Sequence, residues 1–184
     1  MKKALLIASV LFVAVISTAC INNIAVQELN NKAAEFMQKG DYEAAINRLE
    51  ASIDLDSTMY ETYFNLGIAS TSAKNYIKAI EAFENGIKIK PDYADFYYSL
   101  AVAQSEYADE LLEDEVFDKE KEENVKKVIS DEDKEKALEL HKAIILNLNK
   151  YLELKPQAED KELAEEILKS SEEYITENTN KTAK

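Results

Sequence analysis

Tryptophan is absent from this 184-residue chain, cysteine and histidine occur once each, proline twice and glycine three times. A single cysteine excludes an internal disulfide and a zinc site built from several thiolates. Three scattered glycines exclude a glycine-rich phosphate cradle. So little proline and glycine leaves few residues for the tight turns of a β-sandwich or barrel, and points to a mostly helical chain. Positive charge is also short. Twenty-two Lys and Arg face 36 Asp and Glu, for a net charge of −14. A surface of that sign would be repelled by a nucleic-acid backbone. The length suits one domain.

The same shortages weigh against catalysis. A Ser-His-Asp arrangement needs a histidine base held by a partner. His141 is the only histidine, and it falls on an apolar stripe one turn before Ile144 and Ile145, the place of a packing residue. With 36 acidic residues, carboxylate pairs arise by chance and mostly form solvated helix faces. Glu122-Glu123 and Asp131-Glu132-Asp133 lack the Gly turn and alternating ligands of a calcium loop. The expectation is no catalytic residue, no metal, no cofactor, and a chain that is not an enzyme.

The N-terminus reads as an address. Met1-Lys2-Lys3 is basic, 4–16 is almost wholly apolar, and Ser17-Thr18-Ala19-Cys20 is a run of small residues. That order is a secretory signal, too short to span a bilayer at about 20 residues. Cys20, directly after Ala19, resembles the acylated cysteine of the bacterial lipoprotein box, with Ser17 where that box usually has Leu. The resemblance implies a signal peptide over 1–19, lipidation at Cys20, a tether over 20–25, and a lipid-anchored protein at the cell membrane or outer membrane, facing periplasm or exterior. Plain secretion and an uncleaved anchor are the alternatives.

A 34-residue period runs through the rest. Tyr63, Leu66, Gly67 and Ser70 are followed by Ala79, Phe83 and Pro91. One period earlier stand Leu29, Lys32, Ala33 and Phe36, then Ala45 and Leu49; one period later stand Tyr97, Leu100, Ala101 and Gln104. Gly40-Asp41-Tyr42-Glu43-Ala44-Ala45-Ile46 superposes on Lys74-Asn75-Tyr76-Ile77-Lys78-Ala79-Ile80. Several slots shifting together resemble the tetratricopeptide repeat, a pair of antiparallel helices in which small residues let the helices approach. The expected fold is all-α: a helical-hairpin solenoid of about three repeats over 26–156, closed by a capping helix over 157–176, with a disordered tail at 177–184.

The third repeat is stretched. Pro156 comes 31 residues later than the period places it. The extra stretch, 106–136, carries 14 acids and six lysines. Tyr107, Ala108, Leu111 and Leu112 continue the apolar stripe, and Ser130 with Asp133 forms a capping box before Ala137. Two over-long helices are therefore expected, joined by a loop near Asp118–Val128; a disordered acidic loop is the alternative.

The resemblance also implies a concave groove that takes a partner's peptide or helix. Its slots fall on Gln27, Asn30, Ala34, Met37 and Gln38, then Glu61, Phe64, Ile68, Thr71 and Ser72, then Asp95, Tyr98, Val102, Ser105 and Glu106. Phe64, Tyr98, Ile68 and Val102 would make an apolar floor, unless the two aromatics are core residues. Glu61, Asp95 and Glu106 would form an acidic edge suited to neutral or basic partners. The chaperone-binding subtype holds a carboxylate with Lys, Asn, Asn, Lys and Arg, where this chain has Asn30, Ala34, Asn65, Asp95 and Ser99; only Asn65 matches. The implied role is a membrane-anchored interaction scaffold for other envelope proteins. An accessory subunit of a solute transporter, or a self-assembling lipoprotein, are the alternatives.

Overall fold

The computed structural model describes residues 23–118 and 123–181. Helix α1 covers residues 23–38, followed by α2 (Tyr42–Leu55), α3 (Tyr60–Ser72), α4 (Tyr76–Ile89) and α5 (Ala94–Leu112). A ribbon of β1 (Glu115–Asp118) and β2 (Glu123–Lys126) comes next, then α6 (Asp131–Leu154) and α7 (Lys161–Lys181). Residues 1–22, with the expected signal peptide and Cys20, lie outside the described residues. Residues 23–25, expected as tether, are already helical.

The period is written in the backbone hydrogen bonds. Gly40 N–H donates to Met37 and Asp41 N–H to Phe36; 34 residues on, Lys74 N–H donates to Thr71 and Asn75 N–H to Ser70. Both turns need a left-handed residue: Gly40 at φ 74° and Lys74 at φ 59°. Glycine takes that conformation freely, whereas lysine carries a steric cost of about 1 kcal/mol. Asp41 then caps α2 by accepting from Ala44 N–H at 3.1 Å, and Asn75 caps α4 by accepting from Lys78 N–H at 3.3 Å. At the far ends, Asp56 N–H donates to Ser52 and Lys90 N–H to Gly86, again 34 apart. Lys155 N–H repeats this bond to Tyr151. It lies 65 residues after Lys90, one period plus an insertion of 31.

Successive hairpins lock through missing side chains. A Cβ on Gly67 would stand 2.3 Å from the Phe83 ring, and one on Gly86 would stand 2.1 Å from the Phe96 ring. The first contact closes α3 onto α4. The second lets α5 settle on α4. Ala33, Ala45, Leu49 and Leu66 form the core of the first unit, and Ala79, Phe83, Phe96 and Leu100 that of the second. Ala101, Ile144, Leu148 and Tyr151 join Ala158 and Ala164 of the last segment.

The acidic insertion differs from the expected loop. Helix α5 has 19 residues and α6 has 24, against 13 and 14 for α3 and α4. Their extra turns pack through Ala108, Ala137 and Leu140, with Leu111, Leu112 and Tyr174 alongside. Between them two strands pair antiparallel, Val116 opposite Val125, the first mostly in residues expected as the end of a helix and the second in residues expected as loop. The fold is the expected all-α helical-hairpin solenoid, with a short two-stranded ribbon joining α5 to α6. Ser130 and Asp133 cap α6 reciprocally. Helix α7 runs past Glu177 to Lys181, where a disordered tail was expected. Thr176 Oγ1 donates to the Glu172 carbonyl at 2.8 Å and Asn178 Nδ2 to the Tyr174 carbonyl at 2.9 Å, so polar side chains support the last turns. Among the described residues no helix is long and apolar enough to cross a membrane.

Candidate functional site

Helices α1, α3 and α5 carry the slots assigned to the groove, and none of those residues is fully buried. Their helix-mates one or two positions over, Leu66, Gly67, Leu100 and Ala101, are buried. At 3.6 residues per turn that difference separates an inner stripe from an outer one on each helix. The stripe is half-buried at Met37, Phe64, Ile68, Tyr98 and Val102, and exposed at Ala34, Glu61 and Glu106.

Phe64 and Tyr98 belong to different clusters rather than to one shared floor. The Phe64 ring lies 6.0 Å from Phe83, 5.6 Å from Tyr93 and 5.4 Å from Phe96, the last two edge-on. Such tilted pairs are the favoured arrangement of ring quadrupoles. Tyr98 instead lies 5.1 Å from Tyr151 on α6. Burial, and then the nearby Asp160 carboxylate, push its hydroxyl above the usual tyrosine range. Both rings are thus packed against the core and only half-buried. Met37 rests on the first core and Ile68 on the second.

The polar members are partly committed inside the fold. Asn30 Nδ2 donates to Ser52 Oγ at 2.8 Å, to Thr62 Oγ1 at 3.1 Å and to the Val26 carbonyl at 3.0 Å, tying α1 to α2 and α3. Its role is to set the packing of the first unit, which removes it from the set available to a partner. Asp95 pairs with Lys155 at 3.1 Å, and that contact holds the lysine above its ordinary pKa. Lys155 lies 5.9 Å over the Tyr151 ring, and the Tyr151 hydroxyl donates to Asp160. The acidic edge expected from Glu61, Asp95 and Glu106 is therefore neutralised at its middle member. Lys155, Tyr151 and Asp160 went unnoticed in the sequence. Lys155-Pro156 repeats Lys90-Pro91, and that repetition was the available signal.

His141 is 7% exposed, and Nδ1 sits 3.1 Å from Ser171 Oγ on α7. Its ring stacks on Tyr174 at 4.1 Å. Burial pulls its pKa below the ordinary value, against a smaller upward pull from Asp109. It joins α6 to α7.

Residues 33–70 and 71–106 each match the TPR repeat family. This segment is similar to two tetratricopeptide repeats in tandem. The first match takes in α2 and nearly all of α3, the second α4 and much of α5; by the hydrogen-bond period, α1 to α4 form two regular hairpins and α5 with α6 a stretched third, followed by α7. Over 77 residues, 42% of this chain, the sequence is 29% identical to the small glutamine-rich tetratricopeptide repeat-containing protein 2 of Mycosarcoma maydis, and it spans 22% of that protein's length. Among solved structures, the TPR domain of Arabidopsis OM64 superposes with a TM-score of 0.60 at 16% identity, over 81% of this chain and 98% of that one. The second TPR domain of human RPAP3, solved in complex with an HSP70 peptide, gives 0.60 at 14% identity, over 82% and 98%. These likenesses establish the fold as a TPR solenoid.

Proposed function

We propose that the chain is an interaction scaffold of the bacterial cell envelope, anchored through lipid on Cys20, that holds a partner's peptide or helix along the inner stripe of α1, α3 and α5. The observation that carries this reading is the stripe itself. Met37, Phe64, Ile68, Tyr98 and Val102 stand half-open on the first helices of three successive hairpins, α1, α3 and α5, whose backs are locked into the core. Rigid aromatic edges of this kind are the usual anchors of a binding surface.

The partner differs from that of the chaperone-binding repeats. The RPAP3 domain is bound to a peptide ending in EEVD. Where that subtype places cations, this chain has Asp95, already paired with Lys155, and Ser99. The cation there, Lys155, is already paired with Asp95, and the exposed Glu61 and Glu106 would repel a free carboxylate. A neutral or basic segment of an envelope protein fits.

Photocrosslinking in the living cell tests this, with benzoylphenylalanine at Val102. Adducts are expected, and Phe64→Ala with Tyr98→Ala should remove most of them while helix content is unchanged. Adducts untouched by that pair would end the groove assignment. Fatty-acid labelling of the same cells should mark the chain, and the label should vanish in Cys20→Ala.

A further inference from the structure

The inner stripe of α5 runs further than that of α3. Helix α3 stops at Ser72, whose place one period later is Glu106, and α5 continues to Leu112. At 100° per residue, Glu106, Asp109 and Glu113 fall within about 40° of Val102. The stripe therefore goes on, now acidic, along turns that α3 lacks. These turns overhang the end of α3. A cavity of about 380 Å³ opens there, lined by Lys74, Tyr76, Glu106, Asp109, Glu110 and Glu113.

The lining points to one kind of occupant. Four exposed carboxylates face one lysine, Lys74. The next lysine along, Lys78, is paired with Glu50 on α2. The start of α4 at Tyr76 adds some positive character, which still leaves the carboxylates in excess. Tyr76 lines the cavity and is only 7% exposed. Burial raises its pKa, followed by the charges of Glu106 and Glu110. Its hydroxyl leans on Glu106, and no described residue donates to its oxygen. A buried phenol oxygen without a donor, ringed by carboxylates, calls for a cation rich in N–H groups. A guanidinium is flat, always charged, carries five donors and can lie against the Tyr76 ring. A second copy of the chain would bring a net charge of −14 to this negative surface, which disfavours self-docking. Building on the groove reading above, we propose that this cavity receives an arginine of the same partner segment that rests on Phe64, Ile68, Tyr98 and Val102. The stretched third hairpin thus adds a specificity pocket to the groove, made from turns that a regular repeat does not have.

The test pans a displayed library of random dodecapeptides on the full chain, and then on Phe64→Ala with Tyr98→Ala. Peptides lost in that double variant are groove ligands, and an arginine is expected in them. Because a net charge of −14 attracts any cation, a cycle of substitutions decides the matter. Replacing the arginine by citrulline, neutral and nearly isosteric, should weaken binding about five-fold, the scale of one well-placed exposed ion pair. In Glu106→Gln with Asp109→Asn and Glu113→Gln, all at exposed positions, the two peptides should bind equally. Groove ligands that bear no arginine, or that bind as well with citrulline, would overturn the proposal and leave the groove standing. A library without any ligand that depends on Phe64 and Tyr98 would bring down both. A citrulline loss that persists in the triple variant would place the cation elsewhere and overturn the pocket. So would an arginine dependence that emerges only after Lys119→Gln with Lys121→Gln, since the chain would then fill its own pocket. Light scattering that rises with concentration, and no longer does so in the triple variant, would make a second copy the occupant instead.

Discussion

The second and third hairpins share one plan and close it by different means. In the second, a bare backbone meets a ring: Gly67 faces Phe83, with Ala79 beside it. In the third, Ala101 meets aliphatic side chains, Ile144 and Leu148, and the helices run on past the period. The extra turns hold together through Ala108 and Ala137, small residues where the helices stay close, under cover from Tyr174. The second hairpin therefore completes its packing with its immediate neighbours, while the third depends on α7. A regular repeat can be exact and self-sufficient. A stretched one needs an added partner for its added length.

The largest effect should come from filling the gap in the second hairpin. Gly67→Val puts a branched side chain where even a Cβ stands 2.3 Å from the Phe83 ring. Overpacking of this kind costs roughly 1–3 kcal/mol, and the crossing here has no slack. Thermal or urea unfolding should show a loss near the top of that range. Phe83→Leu costs stability alone, yet together the two changes should cost less than their sum, because the smaller side chain makes room. The matching change at Ala101 should be milder, since aliphatic neighbours can shift more easily than a ring wedged on backbone. Equal losses at Gly67 and Ala101 would erase the contrast between the hairpins.

Acidification from neutral pH should act first on the third hairpin. His141 is held neutral by burial against Ser171 and Tyr174. Its folded pKa lies below the ordinary 6.5, so at lower pH the unfolded chain takes up a proton that the folded chain resists. Stability is full above pH 6.5, falls as pH drops below it, and levels off once the folded protein also protonates. One proton limits the slope to about 1.4 kcal/mol per pH unit. Hydrogen exchange should show α7 opening first, while α3 and α4 stay protected. His141→Gln should flatten this part of the profile. A profile unchanged by that substitution would mean that α7 is held without help from the histidine.

Much of this was readable in advance because a repeat multiplies its own signal. Ala33, Gly67 and Ala101 sit 34 apart, and so do Gly40 and Lys74, although nothing local in lysine announces a left-handed turn. The ribbon was not readable. Its strands are four residues each, and the Lys119–Glu122 segment between them carries no Gly, Asn or Pro to announce a turn. The groove was half readable. Slot positions located an inner stripe, but Asn30 and Asp95 find their partners in Thr62 and Lys155, distant in sequence and invisible to a periodic alignment.

The smallest effect should be found where the ribbon ends. Ser130 Oγ accepts from Asp133 N–H at 3.0 Å, and Asp133 returns a contact to Ser130 N–H at 3.3 Å. The comparable start in the second repeat, Asn75, makes a single 3.3 Å bond to Lys78 N–H. Removing either cap should cost about 1 kcal/mol. The loss should be distributed differently. The first turn of α6 projects beyond the body of the solenoid, so Ser130→Ala should fray that turn, speeding exchange of the 133–136 amides with little change in the global midpoint. Asn75→Ala strikes a helix packed from its first residue, Tyr76, which is 7% exposed, so its cost should appear in global unfolding. If Ser130→Ala lowers the global midpoint as much as Asn75→Ala does, the projecting turns are part of the cooperative core, and the stretched hairpin is as self-sufficient as the regular one.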